Sequence, residues 1–166
     1  MLFPTHLVAG YLCTLRWRLS PYWAVAGAAL PDLVDKSVAM GGFYDLYHSL
    51  GHSLAGLVIG TLVVLGLART VRRGGAARRA GTAVLVGWTS HLALDAVHMV
   101  LNGRPGDVRF LAWPLVEHTP AVTLPPVEFA LFYVGTPAFY VELFVWGLFA
   151  AVLADRPRSR RPSSVR

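Results

Sequence analysis

The stretch from Gly81 to Leu101 constrains this chain most. It is apolar and long enough to cross a bilayer core, which takes about 20 residues. Yet it contains Ser90-His91-Leu92-Ala93-Leu94-Asp95-Ala96-Val97-His98. On a helix, His91, Asp95 and His98 stand at i, i+4 and i+7, within about 60° of arc. Ionisable groups in a spanning helix are costly and normally face a protected polar interior. Imidazole and carboxylate on one helical face are also a common means of holding a metal.

The rest of the composition agrees with a membrane chain. The 166 residues suffice for one domain; 55% are hydrophobic and 14% charged, and the mean hydropathy is +0.52. Soluble domains carry about a quarter charged residues. The net charge of +6 comes from 14 arginines and one lysine, Lys36. The arginines stand at the ends of apolar runs, a pattern unlike a nucleic-acid-binding stripe, so no nucleic acid is expected as partner. One cysteine, Cys13, excludes an internal disulfide and a CxxC zinc site. The N-terminus lacks a basic leader region and places His6 inside its apolar run, so no signal peptide is expected.

The pattern predicts an all-α, small integral-membrane bundle of four to five helices over residues 1–154, followed by a basic, disordered tail over 155–166. Helix one covers Leu2 to Leu15. Helix two opens at Ser20-Pro21, with Ser20 as N-cap, and breaks at Pro31-Asp32. Asp45 caps a third helix that includes His48 and His52 and runs on through Leu54–Ala68. The five arginines and Gly74-Gly75 between Arg69 and Arg79 predict a loop. Helix four is Gly81 to Leu101. After a proline-rich connection with a short interfacial helix near Pro126–Val134, a last helix runs from Pro137 to Ala154. Several of these runs are short for a bilayer core, so a shallow bundle is expected. A soluble helical protein with a very apolar core is the alternative.

Arginine asymmetry sorts the candidate site residues. Cytoplasmic loops attract Lys and Arg. If helices three, four and five all span, the Arg69–Arg79 segment, the tail, and Arg16 with Arg18 fall together inside. His6, Asp32, Asp35, His48, His52, His91, Asp95, His98, Glu117 and His118 then fall at the opposite ends. The expectation is one polar pocket toward the outer side of the cell membrane. Five or six nitrogen and oxygen ligands exceed one tetrahedral zinc and suggest two ions sharing a carboxylate. Zinc leads, and manganese or iron suits the same ligands. His98 reads either as a residue orienting a ligand or as interfacial. Asp35 is a candidate for the same supporting role, although solvation or capping is the expected reading for it and for Asp45. His118 reads as a core or headgroup-level histidine. Glu142, in the last apolar run, is expected to pair with an arginine or with a histidine of the pocket.

The motifs Thr5-His6-Leu7-Val8-Ala9-Gly10, Gly27-Ala28-Ala29-Leu30-Pro31-Asp32-Leu33, His-Ser-Leu, His91-Leu92-Ala93-Leu94-Asp95, then Gly103 and Trp113-Pro114-Leu115 occur in that order. Over residues 5–116 this resembles the YdjM-like family of membrane-bound, predicted metal-dependent hydrolases. More distantly, the order is similar to bacterial zinc-dependent phospholipase C and related nucleases. The resemblance implies metal roles for His6, Asp32, one of His48 or His52, His91 and Asp95, with Asp95 bridging two ions. His-Ser-Leu occurs twice, at His48 and at His52, where the family commonly has an Arg-Gly pair before a single Thr-His-Ser. The second copy is the preferred match. The expected activity is metal-dependent hydrolysis of a phosphoester or lipid-type substrate through metal-activated water. A non-enzymatic metal-binding membrane protein, carrier or scaffold, is the alternative.

Overall fold

The computed structural model describes residues 1–41, 49–71, 75–117, 119–122, 124 and 126–155. These residues form six α-helices, α1 Phe3–Trp17, α2 Pro21–Met40, α3 Leu54–Val71, α4 Gly75–Leu101, α5 Pro126–Tyr133 and α6 Pro137–Ala154, with a 3-10 segment at Pro105–Ala112. No strand occurs among them. The all-helical bundle is the expected class, with α5 in the place of the short interfacial helix.

The centre of the bundle is α4. It packs along α2 and is flanked by α1, α3, the 3-10 segment and α6. Glycine makes the α2–α4 contact possible. A Cβ on Gly27 would overlap the backbone of Val84, and one on Gly87 would overlap the carbonyl of Ala24. Small residues that let two backbones approach are the usual basis of helix association in lipid, where burial of apolar surface offers little drive. Beside this seam, Val84, Trp88, Leu92 and Met99 of α4 pack with Leu57 and Phe110. Trp88 also donates from Nε1 to the Gly51 carbonyl at 2.8 Å, tying α4 to the turn before α3.

The other faces are apolar and bare. Val58, Ile59, Leu62, Val63 and Leu67 of α3 are exposed, as are Leu143, Phe144 and Leu148 of α6. Such continuous apolar surface suits lipid rather than water. By length and composition, α4 and α6 can each cross a membrane. The apolar part of α3, Leu54–Leu67, is shorter, so among the described residues two helices rather than three are both long and apolar enough for a full crossing.

Three boundaries differ from the sequence reading. First, α2 does not break at Pro31 but continues to Met40. Proline removes one N–H, yet packing on both sides holds the helix together, as in many membrane helices. Second, α4 begins at Gly75, so Arg78 and Arg79 stand on a helix. Arginine is a good helix former, and these two face outward while Ala77, Ala80 and Gly81 face inward. Third, α3 begins at Leu54, with the Ser53 hydroxyl accepting from the Gly56 N–H at 2.9 Å. His52 therefore lies in the preceding turn and not on the helix. The expected cap Asp45 lies outside the described residues, as does the tail beyond Asp155.

Candidate metal centre

The Gly27–Gly87 approach delivers the first ligand. One turn beyond Gly87, His91 Nδ1 lies 2.7 Å from the Ala28 carbonyl of α2. A carbonyl only accepts, so Nδ1 carries the proton and Nε2 keeps its lone pair. The next turn of α4 brings Asp95 Oδ2 to 3.2 Å from His91 Nε2. From α1, His6 Nε2 lies 3.2 Å from Asp95 Oδ1. The His6 ring stacks on His91 with centroids 3.7 Å apart.

His52 enters from the opposite side. Asp35, one of the most deeply buried carboxylates, accepts from the Ser49 N–H at 2.7 Å, the Gly51 N–H at 2.7 Å and His52 Nδ1 at 2.8 Å. It therefore folds the turn 49–52 around itself and points the imidazole inward. Asp35 is neither solvated nor a helix cap. His52 Nε2 comes within 3.1 Å of His91 Nε2, 3.6 Å of Asp95 Oδ2 and 3.7 Å of Asp32 Oδ1.

The donor chemistry tests whether a metal fits. Both Nδ1 atoms face acceptor oxygens, so two Nε2 lone pairs meet at 3.1 Å beside carboxylate oxygens. Such a convergence of acceptors calls for a cation among them. Two overlapping groups, His6–His91–Asp95 and Asp32–His52–His91, have their ligand atoms within 4.8 Å of one another, and every member is buried. His91 belongs to both. The nitrogen of Met1 lies 2.9 Å from Asp95 Oδ1. These residues fit one or two divalent ions. The partners of the His91 and His52 Nδ1 atoms, a carbonyl and a carboxylate, are those that commonly orient a metal-binding histidine.

A family model described as YdjM inner membrane protein matches residues 1–160. The chain belongs to this family. No curated protein and no solved structure gives a significant match. As a YdjM-family inner membrane protein, the chain has the lipid bilayer as its surroundings, which accounts for its bare apolar faces. Its ligand-type residues come from α1, α2, the turn before α3, and α4, which are brought together where α1 and α2 pack on the central helix.

Other candidate residues stand elsewhere in this YdjM-family chain. His48 and His118 lie outside the described residues. His98 is buried, but its ring stacks on Phe129 and Tyr133 of α5, and Arg104 donates to its Nε2 at 3.0 Å. Arg104 is in turn held by Asp107 at 2.9 Å. Among the described residues, no arginine or histidine forms an ion pair with Glu142. It accepts from the Thr5 hydroxyl and from the Leu2 N–H at 3.3 Å, docking the start of α1 on α6. Sequence reasoning missed Thr5, Arg104 and Asp107. The chain separations that join them to their partners leave no local periodic signal, except the i, i+3 spacing of Arg104 and Asp107.

Proposed function

We propose that this protein is an integral-membrane, metal-dependent hydrolase of phosphoester or lipid-type substrates. The observation that carries the reading is the convergence of the His52 and His91 Nε2 atoms at 3.1 Å between Asp32 and Asp95, with both Nδ1 atoms tied down. His6, Asp32, His52, His91 and Asp95 would hold one or two ions, with zinc favoured by mixed imidazole and carboxylate ligation. A divalent ion bound there supplies Lewis acidity toward a phosphoryl oxygen and activates water near neutral pH. The chain's own part is to fix the ligands and exclude bulk water. Ala28 and Asp35 hold the two rings, and the Asp95 side chain is only 7% exposed. The arginines support a cytoplasmic position for the α3–α4 connection, which puts the metal centre toward the outer face of the membrane.

A second reading, a non-catalytic metal site in a carrier or scaffold, draws support from the near-complete burial of the ligand set. One experiment separates the two. Protein purified in detergent is analysed for metal, then assayed with phosphodiester, phosphomonoester and carboxylic ester substrates with and without chelator. The hydrolase reading expects stoichiometric metal and chelator-sensitive turnover that is absent in His91→Ala. Bound metal without turnover on any substrate supports the second reading. Absence of metal refutes both.

A further inference from the structure

The proposed metal ligands are almost shut off from their surroundings, and their burial loosens at one edge. The His6, His52 and His91 side chains are 1% exposed or less, whereas Asp32 is 10% exposed. At that edge stands Lys36, one turn further along α2. Its ammonium lies 2.9 Å from Asp32 Oδ1, and its side chain is 49% exposed. The same Oδ1 lies 3.7 Å from His52 Nε2. Lys36 therefore touches the ligand set and the outside at once. It is also held in place: its ammonium sits 5.5 Å above the Phe3 ring of α1, a cation–π contact that restrains a long side chain.

Among the described residues, the other charges near the site do not duplicate it. Arg104 is committed to Asp107 and His98. The Met1 nitrogen is fully buried against Asp95. Asp35 faces the far side of His52, with its oxygens filled by the turn it organises. Lys36 is the chain's single lysine. An ammonium has three donors, of which Asp32 takes one, so Lys36 can bind a second anion while paired. A compact ammonium is a common point-charge partner for phosphate.

We propose that Lys36 is a positioning residue that binds the anionic phosphoryl oxygens of the substrate at the mouth of the metal centre, so that the site takes phosphate anions over neutral esters. This rests on the hydrolase reading above. The test compares wild type with Lys36→Gln, Lys36→Met and Lys36→Arg, all purified in detergent. Metal content is measured first. Binding is then measured for inorganic phosphate, and for vesicles of phosphatidylcholine with and without phosphatidic acid. The expected result is unchanged metal, phosphate binding weaker by about tenfold or more in the Gln variant, and recovery in the Arg variant. Lys36→Met keeps an apolar stem against Phe3 and carries the same expectation if Lys36→Gln does not fold. Weakening in both binding assays assigns the effect to phosphate itself; weakening confined to acidic vesicles assigns it to a lipid headgroup. Unchanged binding in both overturns the proposal while the hydrolase reading stands. Loss of metal in the Gln and Met variants also overturns it, because Lys36 would then serve only to hold Asp32. A wild type without metal overturns the hydrolase reading and this proposal together.

Discussion

Asp95 is the carboxylate on which the cluster converges, with His6 on one oxygen and His91 and His52 on the other. Asp95→Asn keeps the shape and removes the charge that offsets a divalent ion. The substitution should abolish metal retention while the helix still inserts, since a central Asp already costs about 2.5–3.5 kcal/mol on the insertion scale. Metal content and membrane fraction of the two proteins check this; equal metal in both would remove Asp95 from the ligand set. His98 gives a separate test. Arg104 can only donate, so His98 Nε2 accepts and the neutral ring carries its proton on Nδ1. Nitrogen NMR of the labelled imidazole should show that tautomer, and Arg104→Gln should change the tautomer balance. At this scale His91 and Asp95 were legible, because helix geometry alone puts i and i+4 on one face. Asp35 was not. Its role depends on a turn that returns to it from Ser49, Gly51 and His52, and no local spacing encodes such a return.

Among the elements, the α2–α4 seam decides whether the ligands meet. Gly87→Val would place side-chain atoms against the Ala24 carbonyl and force the helices apart. The expected cost is about 1–3 kcal/mol or more, with metal affinity lost in parallel because His91 leaves the Ala28 carbonyl. Thermal unfolding and metal titration of the variant check this; full metal affinity at reduced stability would show that the seam and the ligand geometry are independent. The apolar runs predicted every α-helix, including the short α5. Their ends were less legible. Pro31 suggested a break, but the neighbours of α2 outweigh one missing hydrogen bond. The Arg69–Arg79 segment suggested a loop, but the inward Ala77, Ala80 and Gly81 extend the buried stripe of α4 beyond the point where composition turns polar. The 3-10 segment was missed, as it follows Gly103 and opens on Pro105-Gly106, residues that read as a connection.

For the molecule as a whole, the arginines predict an orientation. A single cysteine at Ala76, in a Cys13-free background, should resist membrane-impermeant thiol reagents in intact cells and react once the membrane is opened. Labelling from outside would reverse the sidedness and place the metal centre toward the cytoplasm. The membrane character was legible because hydropathy is a property of the chain and not of its folding. Which faces meet lipid was not, since the apolar residues of α3 and α6 look the same in sequence whether they pack or stay bare.

The close approach of Gly27 and Gly87 also bears on biogenesis. His6, Asp32 and His52 precede α4 in the chain, so the α1–α2 hairpin emerges from the ribosome before His91 and Asp95 are made. The last helix to bring polar ligands therefore arrives beside a partner already able to receive them. Its costly groups need not wait in lipid for company, and the order of synthesis itself spares the most polar helix a period of isolation.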